Sequence, residues 1–474
     1  MSRAGALPLV AVAAALLAAG CADHARRSYL DEVVDDLPGA PADRDARVEA
    51  GEHMRALADA AAVTTQLTLT DCMRMALVNY QRLVARGERL LQADTLRAEA
   101  ITTLLPRAGF NLSYRRDSNP VEFGGEVFLP QTRLEHSVFV TQPLFDARAL
   151  PGYRLGAATR RVEALALDDE RDEVLFQVAA AFYEVLGLDR DLDALRSTLE
   201  QVDEQLRVLE ARLEVGEAQP QEVLLARARR AEVEVDLVQA QLDRDRTRAR
   251  LARLTGAPAA QALHDTLEVE RPGGDVDVLV ARALATRPAL GAAQAEVDAA
   301  AERGNLILAE YLPLVTLDFT YFTRAVGGFN QFLDWTAAVN LQWTALDGGS
   351  REVRLARQRS IQRERALLAA DLADEVRLQV IDAALAFAAL DRAQTALEAR
   401  RRAARGAQEL ASLQFQAGEA TNLDVLVAVA ERQDAERNQV RGEFARKLAA
   451  LRIWLVTGEI TRSPPARRLL ERAR

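Results

Sequence analysis

The chain has 474 residues, of which 49% are hydrophobic but only 5% aromatic, with 25 Gly and 15 Pro; this Ala-, Leu- and Val-rich profile is that of long helices, not of a compact sandwich or an α/β enzyme. Against 70 acidic residues stand 60 basic ones, for a net charge of -10, and Lys447 is the only lysine. Interspersed signs without a basic block exclude a nucleic-acid-binding surface.

In chain order, Met1-Ser2-Arg3 precedes an apolar run over residues 4–19 and then Gly20-Cys21. Residues 1–20 read as a secretory signal, too short and too Ala-rich to persist as a transmembrane helix. The stretch LLAAGC resembles a bacterial lipobox, which implies a diacylglycerol on Cys21 as the first mature residue. It departs from that motif in having Ala18 where Leu is usual; Ala22, rather than Asp, after the Cys implies the outer membrane. An ordinary cleaved signal is the alternative. Residues 21–62 are expected as a lipidated linker, and Cys72 reads as a small buried apolar residue.

Two phrases then reveal a duplication. Residues 215–226 read VGEAQPQEVLLA and residues 417–428 read AGEATNLDVLVA, 202 positions apart; Leu254-Thr255-Gly256 recurs as Val456-Thr457-Gly458 at the same offset, and Leu105-Pro106 as Leu312-Pro313 at 207. The chain is therefore parsed into a first repeat (63–256), a connector (257–274), a second repeat (275–458) and a tail (459–474).

Each repeat has the same order of parts. A helix is expected over 68–104, stopped by Pro106, and its counterpart over 276–311, stopped by Pro313. Two strands follow in each copy: around Phe110, Leu112 and Tyr114 and over 134–144, then around Val315, Leu317, Phe319 and Tyr321 and over 335–344, joined by loops with Gly124-Gly125 and Gly327-Gly328. Their alternating apolar and polar faces and length of about ten residues match tilted membrane strands. Unbroken helical pattern then covers 148–213 and 349–416, about 100 Å of helix each. The duplicated phrases turn the chain, and return helices cover 221–255 and 422–456; Leu224, Ala228, Ala231, Val235, Val238 and Leu242 form a seam at coiled-coil spacing.

Four membrane strands leave two open edges, which a bilayer does not tolerate, so copies of the chain must close a barrel together. Asn111, Asp318, Asn340 and Gln342 supply the polar inner face that a water-filled lumen needs. The fold class is mainly α with a membrane β-barrel, built from duplicated helix, β-hairpin and long-helix repeats.

This plan, the Leu-Pro junctions, the LTG and VTG helix ends and AGEATNLDVLVA resemble the TolC-like outer-membrane efflux protein family over about residues 63–458. The resemblance implies a homotrimer with a twelve-stranded barrel above a helical barrel. It also implies a passive duct for a tripartite efflux pump or type I secretion system, docked through a periplasmic adaptor to an inner-membrane transporter. The expected location is the outer membrane, with a large periplasmic portion.

In such proteins the second-copy turn lies at the periplasmic tip, and an acid after it can line the closed aperture. Asp424 stands there and Glu222 is its first-copy equivalent; Val427 replaces a second acid of some relatives, and Ala420 a basic latch residue. Read from the residues alone, Thr421 and Asp424 also form a capping box, and Gly216 and Gly418 are chain-reversal points. His24, His53, His136 and His264 lack metal-ligand spacing, and no nucleophile or phosphate-binding motif occurs, so no catalysis, metal or cofactor is expected beyond the lipid on Cys21. Rival readings are a protein-secretion duct of the same architecture, a periplasmic adaptor with a single hairpin, and a structural coiled-coil lipoprotein without strands.

Overall fold

The computed structural model describes residues 29–469 apart from 36, 39, 42, 65, 125, 130, 259, 260, 266, 267, 269, 327–329 and 418. The expected signal, Cys21, Gly125, Gly327-Gly328 and Gly418 therefore lie outside the described residues. The elements run α1 (Tyr29–Asp35), α2 (Arg44–Ala62), β1 (Gln66–Leu67), α3 (Leu69–Asn79), α4 (Gln81–Thr102), β2 (Arg107–Arg116), β3 (Val121–Phe123), β4 (Glu126–Leu129) and β5 (Thr132–Phe145). They continue with α5 (Ala149–Glu214), α6 (Pro220–Thr255), β6 (Ala262–Leu263), α7 (Val276–Thr286), α8 (Pro288–Ala309), β7 (Leu314–Val326), β8 (Asn330–Gln342), α9 (Ser350–Gln416) and α10 (Asn422–Val456). Two compact units result: a helical one within Met1–Glu88, Leu165–Leu290 and Leu372–Arg474, and a sheet-bearing one of Arg89–Ala164 and Gly291–Asp371.

In the helical unit, the single helices expected over 68–104 and 276–311 are each two helices, broken at Tyr80 (φ -71°, ψ 107°) and Arg287 (φ -66°, ψ 122°). Pro288 accounts for the second break, because a proline disfavours the α region for the residue before it. The first break has no proline and is held from outside: Asn79 Nδ2 donates to the Thr255 carbonyl at 3.0 Å. The repeat-equivalent contact is Thr286 Oγ1 donating to the Thr457 carbonyl at 2.6 Å. Each return helix thus ends against the helix break of its own copy, and this explains the LTG and VTG phrases. Gly256 and Gly458 take φ of 73° and 69°, and a Cβ at Gly458 would fall 2.7 Å from Arg287 Cα.

The seam expected on α6 is exposed in the single chain, and a second stripe of the helix is the one packed within it. Leu224, Ala228, Ala231, Val235, Val238 and Leu242 are all exposed, whereas Ala226, Val233, Ala240 and Thr247, spaced by seven, are buried. Val233 and Ala240 pack on Leu192 and Leu195 of α5. The helix carries two apolar stripes, both with small residues, and the stripe of Ala226, Val233 and Ala240 is the one packed within the chain.

Residues 21–62, expected as a linker, contain α1 and α2, with Tyr29, Leu30, Val33, Met54 and Ala58 buried. Tyr29 OH donates to the Leu77 and Val78 carbonyls, each at 2.9 Å, and burial pushes its hydroxyl up to about 12. The described part of the expected tail is packed too. Arg74, 2% exposed, donates to the Leu469 carbonyl at 2.8 Å and the Arg468 carbonyl at 3.1 Å. Cys72 is fully buried, as read, and burial pushes its thiol well above the ordinary range.

In the sheet-bearing unit, β2, β5, β7 and β8 form one antiparallel sheet in the order β2-β5-β7-β8. Strand β2 starts directly after Pro106 and β7 directly after Pro313, so the Leu-Pro phrases are helix-to-strand junctions. The 134–144 segment, with Val138-Phe139-Val140 apolar on both faces, is the central strand β5; Phe139 turns to the polar face and lies over Gly109, where a Cβ would meet its ring at 2.3 Å. An unexpected short hairpin, β3 with β4, lies between β2 and β5, with Gly124 at φ 65° in its turn.

Candidate functional site

Two regions hold the candidate residues, one in each unit. In the sheet, the register pairs Asn111 with Ser137, Ser137 with Phe322, Thr141 with Asp318, Thr316 with Asn340 and Leu314 with Gln342. Directly paired residues share a face and alternate residues along a strand do too, so Asn111, Asp318, Asn340 and Gln342 all lie on one face. The opposite face carries Phe110, Leu112, Tyr114, Val138, Val339 and Leu341, with Trp335 62% exposed midway along β8 and Trp343 59% exposed just past its C-terminal end. A sheet that leaves its apolar face this bare is built for an apolar surrounding.

Asp318 is the hub of the polar face. Thr141 Oγ1 donates to Asp318 Oδ1 at 2.6 Å, while Thr316 Oγ1 and Asn340 Nδ2 donate to Oδ2 at 2.8 and 2.6 Å. Three strands are joined through one carboxylate, both of whose oxygens accept. Asn111 is on the same face but on edge strand β2, outside this network. Thr141 and Thr316 are members that the sequence reading did not single out; their alternation with apolar neighbours was the available signal.

The second region is the pair of turns between the long helices. Gly216 takes φ 76° in open space, and Glu217 N–H donates to the Arg212 carbonyl at 2.8 Å, closing the end of α5 in a Schellman pattern. The second turn makes the same bond, Glu419 N–H to the Gln414 carbonyl at 2.8 Å. Glu222 reaches back to accept from Gln219 N–H at 2.9 Å, behind Pro220 at the first helical position.

Thr421 and Asp424 form a complete capping box. Thr421 N–H and Oγ1 donate to Asp424 Oδ2 at 2.8 and 2.6 Å, and Asp424 N–H donates to Thr421 Oγ1 at 3.3 Å. The hydroxyl and then the amide of Thr421 hold the exposed Asp424 carboxyl below the usual carboxylate range.

The residues missed at the turns are buried polar ones. Asn422 is 1% exposed and its Oδ1 accepts from Gln205 Nε2 of α5. Gln433, 4% exposed, accepts from Arg229 Nη2 of α6 at 3.1 Å. Higher on the same helices, Asp191, 3% exposed, sits between Arg437 at 3.3 Å and Arg441 at 2.9 Å. The signal was present: Asn422, Val425, Val429 and Gln433 fall on one helical stripe, so two polar residues occupy apolar positions. Among the described residues no group of His, Cys, Asp and Glu is placed to hold a metal ion.

Comparison with known proteins places these features. The family model described as outer membrane efflux protein matches residues 72–257 and 279–459. No curated protein sequence matches the chain. Among solved structures, the chain is similar to the outer membrane protein VceC of Vibrio cholerae (TM-score 0.70, 20% identity, 82% of this chain and 96% of that one). It is also similar to the CmeC outer membrane channel of Campylobacter jejuni (TM-score 0.71, 15% identity, 86% of each chain). A third likeness is to the open state of the MtrE outer membrane channel of Neisseria gonorrhoeae (TM-score 0.67, 17% identity, 83% of this chain and 89% of that one).

Proposed function

Because the chain belongs to the outer membrane efflux protein family, and is an outer-membrane efflux channel of tripartite systems, we propose that three copies join their sheets into a twelve-stranded barrel and serve as a passive duct. The observation that carries this reading is the two-faced sheet with open edges at β2 and β8. In a bilayer the unpaired backbone groups of each edge would cost several kcal/mol apiece, so the edges must pair with those of neighbouring copies. Two copies would give eight strands, filled by their own side chains, whereas twelve leave a lumen.

The polar face then lines that lumen, with Asn111, Asp318, Asn340 and Gln342 in contact with water. Asp318 sets a fixed negative charge, repeated in each copy, which favours cations. The long helices extend into the periplasm, and the turns at Gly216 and Gly418 form the far tip. There Asp424 and Glu222 cap helices and, in the same positions, present carboxylates to the aperture. Small molecules are handed to this tip by an inner-membrane transporter through a periplasmic adaptor, and a lipid on Cys21 anchors each copy to the outer membrane.

The test is conductance of purified protein in planar lipid bilayers, with its apparent mass before and after heating in detergent. Steady ion conductance and a heat-sensitive three-chain species support the reading. A heat-insensitive single chain without conductance would remove it.

A further inference from the structure

The start of the long helices carries arginines that make no ion pair among the described residues. Arg359 and Arg363 of α9, and Arg154 and Arg161 of α5, are four of these, all exposed. Other arginines of the same helical stretches are paired: Arg354 with Glu310 at 2.5 Å, Arg365 with Glu296 at 2.8 Å and Arg160 with Asp94 at 2.8 Å. Arg357 is likewise exposed and makes no ion pair among the described residues, but it lies about 200° around α9 from Arg359, so the four are set apart by the helix faces they share.

Trp343 continues the apolar face of β8, and its Nε1 donates to the Tyr311 carbonyl at 3.0 Å. Tyr311 OH in turn donates to Glu352 Oε1 at 2.7 Å. Seven and eleven residues beyond Glu352 come Arg359 and Arg363, which fall on the same face of α9. The stripe that begins beneath the apolar side of the sheet thus continues into two unpaired arginines. Arg161 is the repeat equivalent of Arg363, at the offset of 202 that relates the two turns, and Arg154 shares its face seven residues earlier.

Depth fits as well. At 1.5 Å per residue, Arg154 and Arg359 lie about 8 and 14 Å along their helices, and helical side chains lean back toward the N-terminus, here toward the sheet. Their guanidinium groups come up to the zone of several Å that headgroups occupy beyond the hydrocarbon edge. Arg161 and Arg363 follow about 6 to 10 Å further on, within about one Debye length of that zone. Above them Trp343, Tyr311, Leu312, Phe145 and Leu346 are exposed, a mixture of aromatic and aliphatic groups suited to the interface.

We propose that Arg154, Arg161, Arg359 and Arg363 form a collar that binds the headgroups of anionic phospholipids in the leaflet facing the helices. Guanidinium groups bind phosphate with paired hydrogen bonds, and unpaired arginines beside an interfacial aromatic belt match a negatively charged lipid surface. The proposal rests on the outer-membrane channel reading, since only that reading puts the sheet in a bilayer.

The experiment uses the assembled protein in nanodiscs of equal parts phosphatidylglycerol and phosphatidylcholine, released for native mass spectrometry. The readout is the number of phosphatidylglycerol molecules retained per assembly. The double variants R359Q/R363Q and R154Q/R161Q should each retain fewer than half as many as the parent, while R401Q/R402Q, matched in charge but far along α9, should retain the parental number. Equal retention in all four proteins overturns the proposal. So does displacement of the lipid by excess inorganic phosphate at matched ionic strength, which would indicate a free-phosphate site. Loss of the assembly in R359Q/R363Q, with retention unchanged in what remains, would assign the arginines to contacts between copies and overturn it too. Conductance of the same variants in phosphatidylcholine bilayers reads the channel function separately: variants that conduct but lose lipid support both statements, and a parent that fails to conduct contradicts the channel reading alone.

Discussion

Asn340 on β8 donates through Nδ2 to Asp318 on β7 at 2.6 Å, and the same carboxylate accepts from Thr141 on β5. A single acid thus ties three of the four strands on the polar face. Asp318→Asn keeps the shape but removes the charge and replaces one acceptor oxygen by a donor. The expected outcome is a reversal potential closer to zero under a salt gradient, meaning weaker cation preference, with assembly yield retained. An unchanged reversal potential would show that Asp318 does not face the conducting path.

At the second turn, the sign of the pH dependence follows from the capping box. The Asp424 carboxyl is held below its ordinary value by Thr421, so its contribution to stability is present above the unfolded value and is lost as pH falls through the lower folded one. Thermal melts followed by helical circular dichroism should show the parent losing its advantage over Asp424→Asn only in acid. Asp424→Ala should also change single-channel conductance if the three carboxylates ring the aperture; unaltered conductance would leave the residue as a cap.

Two glycines with similar backbone angles should respond differently to alanine. Gly216→Ala meets only the left-handed backbone penalty of about 1–2 kcal/mol, because its surroundings are open. Gly458→Ala adds a Cβ at 2.7 Å from Arg287 Cα and 3.0 Å from its nitrogen, where only backbone could yield. Its melting temperature should fall clearly further than that of Gly216→Ala, and equal falls would show that the helix break does not press on Gly458.

Asn422→Ala removes the partner of Gln205 Nε2 from a position 1% exposed to solvent. Losing this buried hydrogen bond costs about 1–3 kcal/mol. Limited proteolysis should cut the second turn faster than in the parent while leaving the sheet intact. An unchanged cleavage rate would contradict the tether.

On α6, Val235 and Val238 are 69% and 64% exposed in the single chain, on the stripe opposite the one buried against α5. Neighbouring copies are the cover expected for them. Val235→Glu with Val238→Glu should lower the yield of assemblies strongly, with helical content per chain retained, as measured by light scattering and circular dichroism. Normal assembly would mean that this stripe faces water.

Much of this organisation is legible in the residues. The ends expected for the four long helices, 148–213, 221–255, 349–416 and 422–456, agree with α5, α6, α9 and α10 to within one residue, because each end is marked by a Gly turn, a Pro or a cap. The polar face of the sheet was legible from alternation, although Phe139, opposite Gly109, and Phe322, opposite Ser137, also lie on it. What stayed hidden depends on long-range contact. The break at Tyr80 is set by Asn79 reaching Thr255, so the periodicity on either side gave no hint of it. On α6 two apolar stripes have compatible spacing, and only the packing of α5 shows that the stripe of Ala226, Val233 and Ala240 is the one covered within the chain. The buried role of Asn422 was overshadowed by its neighbours Thr421 and Asp424, whose capping chemistry is local and therefore readable.

The central claim is that separate copies close the sheet by pairing β2 of one with β8 of the next. It is tested most directly by placing one cysteine on each strand, at exposed Leu112 and Val339, in a Cys72→Ala background, and measuring cross-linked mass with a bifunctional thiol reagent alongside bilayer conductance. The account predicts a ladder ending at three chains, formed only when both cysteines are present, in protein that conducts ions. Cross-links confined to single chains, in protein that does not conduct, would contradict it.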